Sequence, residues 1–193
     1  MNYEKLLKKK YIELCIEERD YNLERLSLPM GYLQKKIIKG KEYYYLQYRI
    51  GKQVKTDYVK KTDIEAVSTA VNRRKEIENK LLDIKREKKT IETLANRDSL
   101  FIEYIRDRVK KVVKDYPEIK RIVLFGSRAN STYREDSDVD LLLESTKPVS
   151  LLKQSKIRLA LEKEIGLSVD LVHGPLKNDS FLEVDKEIEL YAA

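Results

Sequence analysis

Residues 124 to 144 read Leu124-Phe-Gly-Ser-Arg-Ala-Asn-Ser-Thr-Tyr-Arg-Glu-Asp-Ser-Asp-Val-Asp-Leu-Leu-Leu-Glu144. The apolar run that leads into them, residues 122–125, is typical of a strand buried on both faces. Gly126 has no Cβ, so the backbone at Gly126-Ser127 can approach a ligand closely and present N–H groups to phosphate. The segment therefore predicts a phosphate-binding corner at the end of a buried strand.

Two aspartates follow this corner. Ten residues separate Ser127 from Asp138, and Asp140 comes two residues later. At that interval both carboxylates lie on one face of a strand while Val139 points to the other. Mg²⁺ prefers one or two protein carboxylates together with substrate phosphate oxygens. The pair beside the corner therefore predicts a site for Mg²⁺ or Mn²⁺.

A third carboxylate, Asp170, lies within the apolar run Leu167–Val172. Burying this carboxylate without a partner would cost on the order of several kcal/mol. If its strand neighbours that of Asp138 and Asp140, all three carboxylates join one cluster. Asp170 could then ligate the metal and act as the base that accepts the proton of an attacking hydroxyl.

The rest of this half predicts alternating helices and strands. We expect a helix capped by Ser99, a strand at 139–143, a helix at 149–165 closed by Gly166, a strand at 167–172 and a last helix from Ser180 to Tyr191. This alternation predicts an α/β sandwich over residues 98–193.

The motif resembles that of the minimal (MNT-type) nucleotidyltransferases of the DNA polymerase β superfamily. Their signature is Gly-Ser, ten residues, Asp-x-Asp and a later Asp in a strand. Here it is matched by Gly126-Ser127, Asp138-Val139-Asp140 and Asp170, and the resemblance extends over about residues 98–193. It departs at Ser131, where many members place Gly.

The resemblance implies a polymerase-β-like α/β domain with a small mixed sheet, which transfers AMP from ATP to an acceptor hydroxyl in a Mg²⁺-dependent reaction. Ser127 would contact the triphosphate. Arg128 and Arg134 would neutralise its charge, since guanidinium suits phosphate geometry, although both are equally explained as surface arginines. For Asp136, Ser137, His173 and Glu144 we favour structural or surface roles.

The first half predicts a separate α+β module over residues 1–95: a helix, a β-hairpin at 41–50 and 54–59, and a long helix from Thr62 to about Leu94. In that helix Ala70, Ile77, Ile84 and Ile91 recur every seven residues, which indicates either a short coiled-coil seam or an antiparallel pair with residues 3–25. The one cysteine, Cys15, is expected to be a buried structural thiol.

Charge is divided unevenly between the halves. The 193-residue chain carries a net charge of +7, yet residues 1–97 hold 24 Lys/Arg against 15 Asp/Glu, and residues 98–193 hold 16 against 18. Between residues 32 and 60, basic residues alternate with five tyrosines, which favours nucleic-acid contacts. The simpler interpretation is that alternate tyrosines pack one sheet face on the helices while lysines solvate the other face.

Three functions are consistent with these features. The resemblance implies an antitoxin that adenylylates a HEPN-type ribonuclease toxin, with the N-terminal module docking that partner. The alternatives are an adaptor that acts by binding alone, and an enzyme that modifies a small molecule or RNA. The chain lacks an apolar stretch of about 20 residues and a signal peptide, so a cytoplasmic location without membrane contact is expected. The sequence does not specify the oligomeric state.

Overall fold

The computed structural model describes residues 3–134, 137–174 and 186–193. The chain divides into two compact units, one comprising the described residues of Met1–Glu13 and Ile91–Ala193, the other Leu14–Thr90. This division differs from the expected boundary at 95–98 because the first turns of the N-terminal helix belong with the C-terminal unit. Independent folding of residues 98–193 stays a prediction. Over the described ranges, every helix is too short or too polar to cross a membrane.

The protein belongs to the α+β class and contains two small sheets. The helices are α1 (Tyr3–Ser27), α2 (Ile64–Leu94), α3 (Arg97–Val113), α4 (Gly126–Ala129) and α5 (Leu151–Ile165), with a 3₁₀ turn at Lys61–Asp63 before α2. The strands are β1 (Tyr32–Ile38), β2 (Lys41–Ile50), β3 (Gln53–Val59), β4 (Ile119–Leu124), β5 (Val139–Ser145), β6 (Val169–His173) and β7 (Ile188–Ala192).

Within the Leu14–Thr90 unit, the two long helices run antiparallel. Leu14 and Cys15 of α1 and Ile77 and Ile84 of α2 are buried, which confirms the structural role expected of the cysteine. Arg74 of α2 donates to the carbonyl oxygens of residues 25 and 28 at 2.8 and 2.7 Å. Lys88 of α2 donates to a glutamate of α1 at 2.7 Å. Both contacts join the helices as an antiparallel pair, and Ile77 and Ile84 of the seven-residue repeat are buried.

The same unit contains a three-stranded antiparallel sheet in the order β1-β2-β3. The hairpin of β2 and β3 around Gly51 is confirmed. Strand β1 was not predicted because its Lys35-Lys36-Ile37-Ile38 run lacks alternation. It joins β2 through Lys39 and Gly40, which have φ values of 50° and 76°. Two positive φ values in a two-residue loop are typical of the type I′ hairpin turn.

The C-terminal unit contains a four-stranded sheet in the order β6-β5-β4-β7. Strands β5 and β6 are parallel, whereas β4 is antiparallel to both β5 and β7. This is the small mixed sheet that was expected.

The two faces of this sheet have different surroundings. A separate apolar cluster of Val123, Phe125 and Leu142, with Val172 packed against it, lies on one face. Helices α3 and α5 have buried apolar residues of their own and contact each other and strands β7 and β6. Helix α3 is capped by Asn96, whose side chain accepts from Ser99 N–H, and not by Ser99 itself. Gly166 closes α5 with a φ of 78°, as expected.

The last predicted helix is corrected by the structure. Of residues 180–191, positions 180–185 lie outside the described residues, and Ile188–Ala192 forms β7. There Leu190 is buried, and Glu189 contacts Arg121 of β4 at 3.0 Å. The backbone groups along the second edge of β4 require partners, and this tertiary demand overrides a local pattern that also suited a helix.

Candidate active site

The predicted phosphate-binding corner lies directly after β4. Phe125 N–H donates to the carbonyl oxygen of Asp140 at 3.1 Å, which joins the end of β4 to the start of β5. Gly126 follows with a φ of 69°. A Cβ placed on it would lie 2.3 Å from Oδ2 of Asp140. Both the backbone conformation and the neighbouring carboxylate therefore require glycine here.

The corner continues as the single turn α4 and then as a short loop. Asn130 N–H donates to the Gly126 carbonyl at 3.1 Å, and Thr132 N–H donates to the Ser127 carbonyl at 2.9 Å. Ser127 itself is half-buried. These bonds fix the backbone around Ser127, which directly follows the glycine that contacts the Asp140 carboxylate.

Two of the three predicted aspartates occupy paired positions on neighbouring strands. In the parallel pairing of β5 with β6, Asp140 is in register with Asp170. Because Leu142 and Val172 are the next residues on the same sides of these strands, both aspartates lie on the face that carries the separate apolar cluster. Asp138 precedes β5 directly and is exposed.

Asp170 differs from the expectation in one respect. Its neighbours Val169 and Leu171 are buried, but Asp170 is exposed because β6 is an edge strand. The burial penalty inferred from the sequence therefore does not apply. The strand pairing, and not a buried charge, is what places Asp170 beside Asp140.

The electrostatics of Asp140 show that the three carboxylates share one field. Burial raises the pKa of Asp140, and the nearby carboxylates of Asp170 and Asp138 raise it further, while Arg128 acts in the opposite direction. Like charges that raise a pKa in this way destabilise the ionised form, and a bound cation would relieve them.

Arg128 has a position that was not foreseen. Its side chain is only 2% exposed, and its Nε donates to the carbonyl oxygens of Ser137 and Asp138 at 3.1 and 3.0 Å. The guanidinium therefore holds the backbone that leads into the Asp-x-Asp strand. This burial disfavours the predicted direct contact with a triphosphate.

Two aromatic rings contact the Arg128 guanidinium. Its Cζ lies 4.6 Å from the ring centroid of Phe101 and 4.9 Å from that of Tyr133, and the two rings stack on each other at 6.1 Å. Tyr133 donates to Asp98 at 2.8 Å. Burial, followed by this hydrogen bond, raises the pKa of Tyr133 to about 12. Phe101 lies in α3, and the sequence analysis did not connect it with Arg128.

The position at which the sequence departs from the MNT-type pattern has a strained backbone. Ser131 has a φ of 61°, a conformation that favours glycine. Its side chain hydrogen-bonds Asp98 and, together with Tyr133, lowers the pKa of that carboxyl group. This bond links the loop to α3.

The remaining predicted residues lie outside the carboxylate cluster or at its edge. Arg134 is exposed, and its N–H donates to Ser137 Oγ at 2.9 Å, a loop contact of the kind expected for Ser137. Asp136 lies outside the described residues. His173 Nε2 is 3.0 Å from Ser145 Oγ, and strand alternation turns it to the face opposite Asp170. Glu144 forms an ion pair with Arg121 at 3.1 Å.

Residues 105–191 match the family described as Nucleotidyltransferase domain. A predicted protein adenylyltransferase of Methanocaldococcus jannaschii, MJ1217, is 34% identical over 87 residues, which cover 42% of this chain and 89% of that protein. The chain belongs to the nucleotidyltransferase family. Protein adenylyltransferase MntA of Thermococcus cleftensis is 39% identical over 71 residues, or 37% of this chain and 72% of that protein.

Two further comparisons concern a solved structure and the N-terminal residues. A chain in the structure of a tri-AMPylated Shewanella oneidensis HEPN toxin in complex with MNT antitoxin matches with a TM-score of 0.37 and 20% identity, over 48% of this chain and 73% of that chain. Neither value is high enough to indicate a shared function. Residues 4–68 match a domain of unknown function, so the family relation explains only the C-terminal nucleotidyltransferase domain.

Nucleotidyltransferases use a nucleoside triphosphate and a divalent metal ion, and the residues present fit such an ion. The donors around the corner are carboxylate oxygens, which suit Mg²⁺ and Mn²⁺. Over the described ranges, however, no three Asp, Glu, His or Cys side chains form a group that could hold a metal ion. A pair of carboxylates completed by substrate phosphate oxygens is the arrangement that Mg²⁺ prefers, and Asp140 with either Asp138 or Asp170 would supply that pair.

Proposed function

We propose that this nucleotidyltransferase transfers AMP from ATP to a hydroxyl group of a partner protein. The observation that carries the proposal is the register pairing of Asp140 with Asp170 next to the Gly126 corner. It combines acidic groups for a metal and for proton transfer with backbone that approaches a ligand closely. The names of the relatives from M. jannaschii and T. cleftensis support a protein as the acceptor.

The reaction assigns a role to each group. The acceptor oxygen bonds to the α-phosphorus of ATP, and the bond from that phosphorus to the bridging oxygen breaks. Pyrophosphate leaves with the electron pair, and the acceptor proton passes to a carboxylate, for which Asp170 is the exposed candidate. A bound Mg²⁺ would supply charge neutralisation at the transferring phosphoryl group.

Binding of the triphosphate falls to the corner and its loop. The backbone at Gly126 and Ser127, with the Ser127 hydroxyl, would hydrogen-bond the phosphate oxygens. Arg134 is exposed and would neutralise part of their charge, whereas Arg128 would act by holding the loop. The two arginines are given different roles because Arg128 is buried and Arg134 is exposed.

The proposed acceptor is a HEPN-type toxin, and the proposed site of action is the cytoplasm. The acceptor rests on the resemblance to MNT-type antitoxins, and the location on the expected lack of a membrane-spanning stretch and a signal peptide. To test the acceptor, the full-length protein is incubated with ATP labelled at the α-phosphate, Mg²⁺ and the product of the adjacent gene, and the label is located by mass spectrometry. Label on a hydroxyl side chain of that product is the expected result.

The controls separate the alternatives. Asp138→Ala/Asp140→Ala protein should transfer no label, and labelling that survives this double substitution would overturn the catalytic assignment. Label found only on RNA or on a small molecule would overturn the protein acceptor. Neutralisation of the toxin by the double variant, without any label, would favour an adaptor that acts by binding.

A further inference from the structure

The three-stranded sheet has two chemically distinct faces. Paired residues in an antiparallel sheet share a face, and neighbours along a strand alternate between faces. The register therefore gathers one set of side chains, here called the tyrosine face, on a single side. Its defining residues are Tyr32, Lys36, Tyr43, Tyr45, Arg49 and Tyr58.

Charge is segregated between these faces. The strands contain two carboxylates, and both lie on the opposite face. There Glu42 forms an ion pair with Lys35 and accepts from Tyr44 at 3.1 Å, and Asp57 hydrogen-bonds Tyr48. The tyrosine face therefore presents cations with no Asp or Glu among its strand residues.

The tyrosines of this face are not core residues. Tyr58 is 56% exposed and Tyr32 is 49% exposed. Tyr58 contacts Tyr45 and Tyr43 with ring centroids 5.7 and 6.4 Å apart. In addition, Tyr44 and Tyr48 lie on the other face, and Lys36 shares the tyrosine face, with its Nζ 5.1 Å from the Tyr45 centroid. The interpretation that tyrosines pack on one side while lysines solvate the other is therefore wrong.

We propose that the tyrosine face binds single-stranded nucleic acid. Exposed aromatic rings on a sheet provide stacking surfaces for unpaired bases, and cations among them neutralise the backbone. Strands about 4.8 Å apart with about 3.3 Å rise per residue make this face roughly 10 Å by 23 Å, enough for about four nucleotides, the lower end of site sizes for sheet-based binding folds.

Single strands fit the face better than duplex. The bases of a duplex are stacked on one another, so its contacts are mainly with phosphates, and exposed tyrosine rings would contribute little. Lys41, which is two residues from Tyr43 in β2, lies on the same face as Lys36 and Arg49. These three cations are few for a duplex backbone but match a short single strand. About three neutralised phosphates predict a salt slope near −2 in a plot of log K against log salt concentration.

The test is fluorescence anisotropy of the full-length protein with labelled 12-nucleotide single strands of DNA and RNA and with the matching duplex, without ATP or divalent metal. We expect both single strands, or one of them, to bind more tightly than the duplex. The protein with Asp138→Ala/Asp140→Ala should bind equally well, which separates this surface from the nucleotidyltransferase site. Tighter binding of duplex would overturn the proposal, as would the absence of binding at low salt.

Matched variants assign the contacts. Tyr58→Ala should weaken binding about 5- to 150-fold, the loss of one stacked base, whereas Tyr58→Phe should preserve it. Lys36→Gln should lower the magnitude of the salt slope by about 0.7, and Lys35→Gln on the opposite face should leave the slope unchanged. Circular dichroism checks folding, and if Tyr58→Ala unfolds, Lys36→Gln and Arg49→Gln decide the outcome.

Two further results would contradict the proposal. Equal effects of Lys35→Gln and Lys36→Gln would indicate unspecific attraction to the basic unit as a whole. The second result would indicate that an acidic protein, and not nucleic acid, occupies the tyrosine face. In that case the single strands would fail to bind, and Tyr58→Ala would weaken capture of the adjacent gene's product.

Discussion

Gly126 and Asp140 approach each other so closely that a single added carbon would separate them: a Cβ on the glycine would lie 2.3 Å from Oδ2 and 2.9 Å from Cγ of the aspartate. The contact joins the proposed phosphate-binding corner after β4 to the proposed metal-binding strand β5. The two parts of the motif, which ten residues of loop separate in sequence, therefore form one local structure.

The first prediction is that Gly126→Ala strongly reduces nucleotide transfer, because the new Cβ displaces the Asp140 carboxylate. We expect at least a 100-fold loss of kcat/KM, about the effect of removing one transition-state-stabilising group. Because alanine is disfavoured at a φ of 69°, the substitution should also lower the free energy of unfolding by roughly 1–2 kcal/mol. Transfer from labelled ATP and thermal unfolding measure the two effects.

Gly40 and Gly51 supply matched controls. Both have positive φ values, and a Cβ on either would meet no atom within 4 Å. Gly40→Ala and Gly51→Ala should therefore lower stability by a similar amount without affecting transfer. Full activity in Gly126→Ala protein would contradict the role of this contact.

The second prediction concerns Asp140 and pH in the metal-free protein. Since the folded-state pKa of Asp140 is raised, the native state retains a proton that the unfolded state has already released. Stability should therefore decrease as pH rises from the ordinary aspartate pKa through the raised one, and the penalty should be complete at neutral pH. Asp140→Asn should remove this penalty, raise the Tm at pH 7 without divalent metal, and abolish transfer.

Urea unfolding between pH 3 and pH 8 in the presence of a chelator measures this dependence. The wild-type and Asp140→Asn curves should converge at low pH and separate as pH rises. Addition of Mg²⁺ and ATP should stabilise the wild-type protein more than the variant. A variant that is less stable than wild type at pH 7 would show that the carboxylate cluster is not repulsive.

Some of this site was readable from the sequence because its chemistry is local. Gly126-Ser127 and Asp138-Val139-Asp140 lie within fifteen residues, and strand alternation alone places both aspartates on one side. The pairing of Asp140 with Asp170 is different in kind. It depends on which strands become neighbours, and the sequence indicated only that both are strands.

The remaining features depend on contacts between distant residues. Phe101 contacts Arg128 from another helix, so no local pattern links this position of α3 with an arginine of α4. Strand β7 forms because β4 presents an edge, whereas its own sequence also suited a helix. In the N-terminal half, Tyr32 and Lys36 join the tyrosine face through the register of β1 with β2, and β1 was not predicted.

The third prediction separates the two arginines. Arg128→Ala should lower the free energy of unfolding by about 3 kcal/mol, because it leaves the carbonyl groups of Ser137 and Asp138 without their donor and removes the cation that contacts both Phe101 and Tyr133. Arg134→Ala should leave stability within about 0.5 kcal/mol of wild type, since its side chain is exposed. It should raise the KM for ATP instead. An Arg128→Ala protein with unchanged Tm would contradict the bracing role.

The last prediction uses the strained position in the loop. Ser131 combines a φ of 61° with a hydrogen bond from its side chain to Asp98, so backbone strain and a tertiary contact act in opposite directions. Ser131→Gly should relieve the strain and lose the bond, with a net change in unfolding free energy below about 1 kcal/mol. Ser131→Ala should keep the strain and lose the bond, at a cost of roughly 1–2 kcal/mol.

A double-mutant cycle by urea unfolding measures the bond itself. In Asp98→Asn protein the ionised acceptor is already absent, so the stability difference between wild-type Ser131 and Ser131→Ala should shrink. A Ser131→Ala protein as stable as wild type would show that the bond to Asp98 does not hold this loop against α3.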